Sequence, residues 1–301
     1  MTFDWMKIPY ALLTVFIVFN YGLLIGALIQ KIGARAGRRY GIPIWQNYVD
    51  LIKNYGQRTS ITHGVMFYLG PVFRLTGGVG LLLFVPTIYG SYMFSNLSFA
   101  GDLILALYFV FFGTLGMALG AGESGHPHAA IGITRGLSQV TTAELPFALA
   151  VFAVALQYQT LSVTDIVAAQ QGGFMNWTLF TNPLAVAAAM LAFLGSMMRP
   201  PFDVVIAPQE IPIGPPTEYH SAYLALMQTN RAIFPIAKMV IYMNLFFGGA
   251  TSWPEFCVKV FLLYLFSAFV GVCFPRFRVE QSIRWFLIWA VPLGVLAILW
   301  V

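Results

Sequence analysis

Residues 198–238 read MRPPFDVVIAPQEIPIGPPTEYHSAYLALMQTNRAIFPIAK, and the fold turns on how this stretch can be accommodated. Its first half cannot be a continuous helix, because Pro200, Pro201, Pro208, Pro212, Pro215 and Pro216 remove amide donors and push the residues before them out of the α region. Its second half can. Thr217 is expected to cap a helix with Glu218 at its positive end, and that helix carries Arg231 and Lys238 on one face of an otherwise apolar run. The loop is apolar too, yet it holds Asp203, Glu210 and Glu218 out of only 11 acidic residues in the chain. Charge inside an apolar segment is costly, so a functional role is the default reading for these acids and for the two cations that follow.

The same apolar character extends outward over the chain. Of 301 residues, 59% are hydrophobic and 9% charged, against roughly 25% charged in a soluble domain. The apolar runs are continuous, where a membrane β-barrel would show short alternating segments, so an all-α polytopic membrane protein is expected. At about 20 residues per crossing, about eight spans fit, near 9–30, 65–94, 103–122, 138–158, 179–198, 218–245, 254–274 and 282–301, in a single membrane domain covering 1–301. Residues 1–10 contain Asp4 and lack a basic lead, so the first run is expected to remain as a span. Lys31, Arg35, Arg38, Arg39, Lys53, Arg58, Arg135, Arg199, Arg276, Arg278 and Arg284 fall in alternate loops, and the opposite loops hold only Lys7. This bias puts both termini on the non-cytoplasmic side of the cell membrane and makes the net charge of +5 a topology signal, with no nucleic-acid role implied.

Residues 31–63 are the one long hydrophilic piece. The part through Arg39, with Arg35 and Arg38, suits anionic headgroups or an acidic partner surface. Residues 42–56 have helical period, with Ile44, Tyr48, Leu51, Ile52 and Tyr55 expected on one side and Asn47, Asp50, Lys53 and Asn54 largely on the other. The segment is too short and polar to span, so it reads as an amphipathic helix along the interface. Trp45, Gln46, Asp50 and Lys53, with Arg135 from a later basic loop, are its candidate partner-docking contacts.

Further along, Arg74 is expected to snorkel to the cytoplasmic face, and Asp102 to sit at a helix N-terminus. Glu144 lies nearly two turns inside a span beside Pro146, which frees a backbone carbonyl. A carboxylate there is either protonated or paired with a cation, and either state suits a proton relay. With Asp203, Glu210, Glu218, Arg231 and Lys238 it forms the candidate coupling set, Glu144 being expected in one buried network with the two cations. His126 and His128, with Glu123, have ligand-like spacing, but nothing in the sequence completes a metal site. Cys257 and Cys273 read as small hydrophobes, the in-span glycines as helix-packing positions, and Glu255 with Lys259 as an i,i+4 interfacial anchor.

Taken in order, the basic loop, QNYVDLIK (46–53), RGLSQVTTAELPFALAV (135–151), RPPFDVVIAPQE (199–210) and GPPTEYHSAYLAL (214–226) resemble the eight-helix membrane-anchor subunit shared by respiratory complex I and the energy-converting membrane-bound nickel-iron hydrogenases with their sulfur-reducing relatives. The resemblance covers essentially the whole chain and is nearer to the hydrogenase branch. The 46–53 segment has that branch's compact form, and Ile206 and Pro208 stand where complex I relatives place glutamates. It implies a subunit with no redox cofactor of its own. Iron-sulfur clusters and a nickel-iron centre are expected in docked hydrogenase-like partners on the cytoplasmic side, and antiporter-like membrane subunits in the bilayer beside it. Electron transfer in those partners is then linked to H+ or Na+ movement. Two other readings compete: the quinone-site subunit of complex I, and a stand-alone secondary transporter. The transporter lacks support from any clear inverted repeat with paired broken helices.

Overall fold

The computed structural model describes residues 4–58, 63–205 and 214–301, and the described residues form helices and connecting turns with no strand. In chain order the helices are α1 (Lys7–Ala36), α2 (Gln46–Tyr55), α3 (Val65–Phe84), α4 (Asp102–Gly122), α5 (Pro127–Tyr158), α6 (Val163–Ala169), α7 (Thr178–Thr181), α8 (Pro183–Ser196), α9 (Ser221–Phe246), α10 (Trp253–Cys273), α11 (Val279–Trp285) and α12 (Val291–Leu299). A π-helical turn, Phe286–Ala290, joins α11 to α12 into one rod. The all-α reading holds.

The polytopic layout expected of about eight spans holds as well, although the number of long apolar helices differs. Among the described residues six helices are long and apolar enough to cross a membrane: α1, α3, α4, α5, α10 and the α11–α12 rod. The runs predicted at 179–198 and 218–245 are α8 and α9. With 14 residues, α8 is about 21 Å long, short of a hydrocarbon core of about 30 Å. It ends where Pro200, Pro201 and the loop beyond stop the helix. α9 has length, at 26 residues, but carries Gln228, Asn230, Arg231 and Lys238. It tolerates them because it is the central helix, packed against α1, α2, α3, α6 and α10. The second span also ends early, at Phe84 and not near residue 94: Pro86 removes a donor, and the freed carbonyls are taken up by Asn96 Nδ2 (to Leu82 O, 2.9 Å, and Val85 O, 2.7 Å) and Asn244 Nδ2 (to Pro86 O, 2.6 Å).

Small residues set the closest packing. A Cβ on Gly77 would collide with the backbone of Gly113, and one on Gly70 with that of Gly120, so α3 and α4 approach as only glycine allows. Asp102 opens α4 and is fully buried, its Oδ1 accepting from Val163 N at 2.7 Å. Lys259 and Glu255 form the expected pair at 2.6 Å.

The interfacial helix is present, as α2, but its inward face mixes residues from both expected sides. Asn47 Nδ2 donates to Leu23 O (2.8 Å), Tyr48 OH to Asn20 O (3.2 Å) and Asn54 Nδ2 to Gln228 Oε1 (2.9 Å), so Tyr48 of the expected apolar side joins the two asparagines against α1 and α9. Trp45 (66% exposed), Val49 and Ile52 face outward. Hydrogen bonds that water would otherwise supply are made inward, which leaves the apolar stripe for the surroundings. Gln46 Nε2 bonds Asp50 Oδ1 at 2.7 Å, and Lys53, Arg35, Arg38 and Arg39 are exposed or nearly so.

Candidate functional site

The two cations of α9 do share one face, and it lines a cavity of about 420 Å³ at the basic end of the bundle. Its walls come from α3, α4, α9, α10, the turn after α8 and the segment 216–219. Four cationic side chains reach it: Arg74, Arg199, Arg231 and Lys238. Arg74 therefore does not snorkel outward. Its Nη1 lies 2.8 Å from Met117 Sδ, and with the Asn230 amide turned so that its oxygen faces the guanidinium, Arg74 Nε donates to it at 3.2 Å. Position alone could not show this, since a residue ten places into a helix points wherever the neighbouring helices leave room. Arg199 was legible only as a basic loop residue; it stacks 4.2 Å over the Tyr264 ring and donates to Tyr264 OH at 2.6 Å.

Lys238 links this cavity to a second, much smaller one. It is 3% exposed and donates to Ser196 O at 3.0 Å. Beyond it Glu144, Ser196 and Tyr242 enclose about 10 Å³, room for about one water molecule. Glu144 Oε1 accepts from Thr114 Oγ1 at 3.3 Å and lies within electrostatic reach of Lys238. Arg231, by contrast, stands on the larger cavity and not at this inner pair. The expected network thus has two stations: Lys238 with Glu144 inside, Arg231 with Arg74 and Arg199 outside.

The acidic row is not contiguous. Asp203 is held by Arg276, whose Nε and Nη2 donate to its two carboxylate oxygens at 2.6 and 2.5 Å, fixing the turn after α8 to the segment between α10 and α11. Phe202 beside it packs on Phe277, Trp285 and Phe286, and its carbonyl accepts from Gln139 Nε2 at 2.6 Å. Glu210 lies outside the described residues. Glu218 does not cap α9, which begins at Ser221, nor does Thr217, whose Oγ1 donates to Gly214 O. Glu218 instead accepts from Ser124 Oγ and lies 3.1 Å from His63 Nε2. Its neighbour Tyr219 stacks on Phe67, donates to Phe67 O at 2.8 Å and lines the large cavity; burial holds its phenol well above the usual range, so it remains a donor. Glu123 Oε2 accepts from Phe67 N at 2.7 Å, tying the same corner together. His126 caps α5, accepting from His128 N at 3.2 Å. Arg135 sits half-buried on the first turns of α5, and Ser138 of the same motif is exposed.

A bundle of long apolar helices with a cation-lined cavity at its basic end and a carboxylate and an ammonium behind it defines a multi-pass membrane protein. The comparisons add its class, a membrane subunit of a redox complex. The chain belongs to the NADH dehydrogenase family, whose sequence profile matches residues 8–301. It is 25% identical over 291 residues to the H subunit of NADH-quinone oxidoreductase from Carboxydothermus hydrogenoformans, covering 92% of this chain and 81% of that one. It is 26% identical over 295 residues to the same subunit from Geobacillus kaustophilus, covering 90% and 84%. Among solved structures it superposes with TM-score 0.90 and 30% identity on a chain of the membrane-bound sulfane sulfur reductase, an archaeal respiratory membrane complex, over 97% of this chain and 98% of that one.

Proposed function

We propose that this chain is the membrane-anchor and coupling subunit of an ion-translocating redox complex of the branch formed by membrane-bound hydrogenases and sulfur-reducing complexes. Its exposed basic segment, with Arg35, Arg38 and Arg39, and the surface presented by Trp45, Gln46, Asp50, Lys53 and Arg135 dock a cytoplasmic module. That module carries the iron-sulfur clusters and the catalytic metal centre, so that this chain holds no redox group, and antiporter-like subunits lie beside it in the bilayer. The observation that carries the reading is the continuity from the segment 216–219, through the cation-lined cavity, to Lys238 and Glu144. A charge change at the docking end shifts the field on Lys238, and Lys238 sets whether Glu144 holds a proton or an ion pair. Glu218 lies at the docking end of that line, and Glu210, outside the described residues, belongs to the same proposed set. The orientation follows from the basic loops, with both termini outside.

The quinone-site reading draws support from one observation, the cavity volume, which lies within the range of about 300–1,000 Å³ for ligand pockets. Purification of the native complex separates the two. Co-purifying hydrogenase-like large and small subunits with antiporter-like membrane subunits are expected; an NADH-oxidising module and bound quinone would overturn the proposal.

A further inference from the structure

Among the described residues the charge balance of the large cavity is one-sided. Arg74, Arg199, Arg231 and Lys238 line it, and no described acid is in ion-pair contact with Arg74, Arg199 or Arg231. The described carboxylates at this end are engaged elsewhere: Asp203 with Arg276, Glu218 with Ser124 and His63, Glu123 with Phe67 N. Glu144 lies past Lys238, and one carboxylate balances one of four cations. Arg74 is near enough to Arg231 and to Lys238 for their charges to act on one another, so the group repels itself. Arg231 is exposed and Arg199 half-buried, so the cost of holding a cation away from water without counter-charge falls on Arg74 and Lys238, and their neutral partners, Met117 Sδ and Ser196 O, offset only part of it. Apart from the polar Thr114, Thr217, Gln228 and Asn230, the rest of the wall is apolar and adaptable, with Met117, Met198, Met227, Leu224 and Phe234. A neutral headgroup would leave the excess charge where it is.

From this geometry we infer that the cavity binds an anionic amphiphile, a carboxylate or phosphate headgroup held by Arg74, Arg199 and Arg231 with an apolar chain lying along the methionine-lined wall. Guanidinium forks suit such headgroups, since they present paired donors to paired oxygens. The inference does not rest on ion translocation, and its readout is binding.

The test uses the intact complex and a fatty acid bearing a diazirine in its chain, with labelled peptides mapped by mass spectrometry after irradiation. Label is expected on the α4 and α9 segments that carry Met117 and Met227. Dodecanoate and dodecyl phosphate should compete about tenfold better than dodecanol or a decyl-quinone, the margin of a charge-assisted contact. Protection by inorganic phosphate alone would assign the site to a free anion and overturn the amphiphile. Extraction of the untreated complex then separates the sources, a free fatty acid or a phospholipid. Arg231→Gln should cut labelling at least about fivefold while Arg231→Lys retains most of it; if the Gln variant fails to assemble, the competition series on the unaltered complex decides. Equal competition by the alcohol or the quinone, or label confined to other segments, overturns the inference.

Discussion

Replacing Asp203 by Asn is the cleanest test of how the loop between α8 and α9 is held. The change keeps shape and removes charge. In the native arrangement both carboxylate oxygens accept from one guanidinium, and the side chains of Asp203 and Arg276 are 11% and 19% exposed. Breaking a fully buried pair from one side costs about 3–5 kcal/mol; the residual exposure here brings the expected loss to about 2 kcal/mol. For a chain of this size that corresponds to a fall of about 4 °C in the thermal midpoint. Asp203→Asn, Arg276→Gln and the double variant, measured in the same detergent, give a coupling energy free of effects each change has on its own. A coupling of about 2 kcal/mol with an unchanged ion-to-electron ratio is predicted. Additive effects of the two changes would show that the pair carries no joint stability, and a fall in ion ratio without loss of stability would return Asp203 to the ion path.

The other expectations are as direct. Gly77→Val should abolish close packing of α3 on α4 and with it accumulation of the folded complex, since the new side chain meets the backbone of Gly113; normal yield and midpoint would contradict the packing described. Cysteine at Arg39 should react with an impermeant maleimide only from the cytoplasmic side and cysteine at Lys7 only from outside, and the reverse pattern would invert the topology. Glu218→Gln, in a complex that still assembles, should keep electron transfer to a soluble acceptor and lose most of the coupled gradient; retention of both would leave Glu218 with only its contacts to Ser124 and His63.

What could be read from the sequence was what depends on local period. The lipid-facing helices, the existence of a short helix after the basic loop, the Glu255–Lys259 pair and the shared face of Arg231 and Lys238 all follow from spacing along one helix. What could not be read depends on which element sits opposite. Arg74 is drawn inward by a cavity formed by α4 and α9, and Asp203 finds Arg276 across 73 residues of chain. The inward face of α2 was not legible because Asn20, Leu23 and Gln228, on other helices, offer partners to Tyr48, Asn47 and Asn54. α8 is shorter than a span because it opens at Pro183 and is stopped short of Pro200 and Pro201. His63, Ser124 and Tyr264 carried no signal in the sequence beyond their chemistry, and the site needs all three.

The proposed link from the cavity end of the chain to ion movement runs through the pair Lys238 and Glu144, and the ion-to-electron ratio of the reconstituted complex carrying Glu144→Gln tests it. The substitution preserves volume and the contact with Thr114 Oγ1 while removing the charge that faces Lys238. Electron transfer to a soluble acceptor within about twofold of the unaltered complex is expected, with a loss of most ion translocation, since a neutral amide can neither take up a proton nor compensate the ammonium. A variant that assembles and translocates at the unaltered ratio would contradict it.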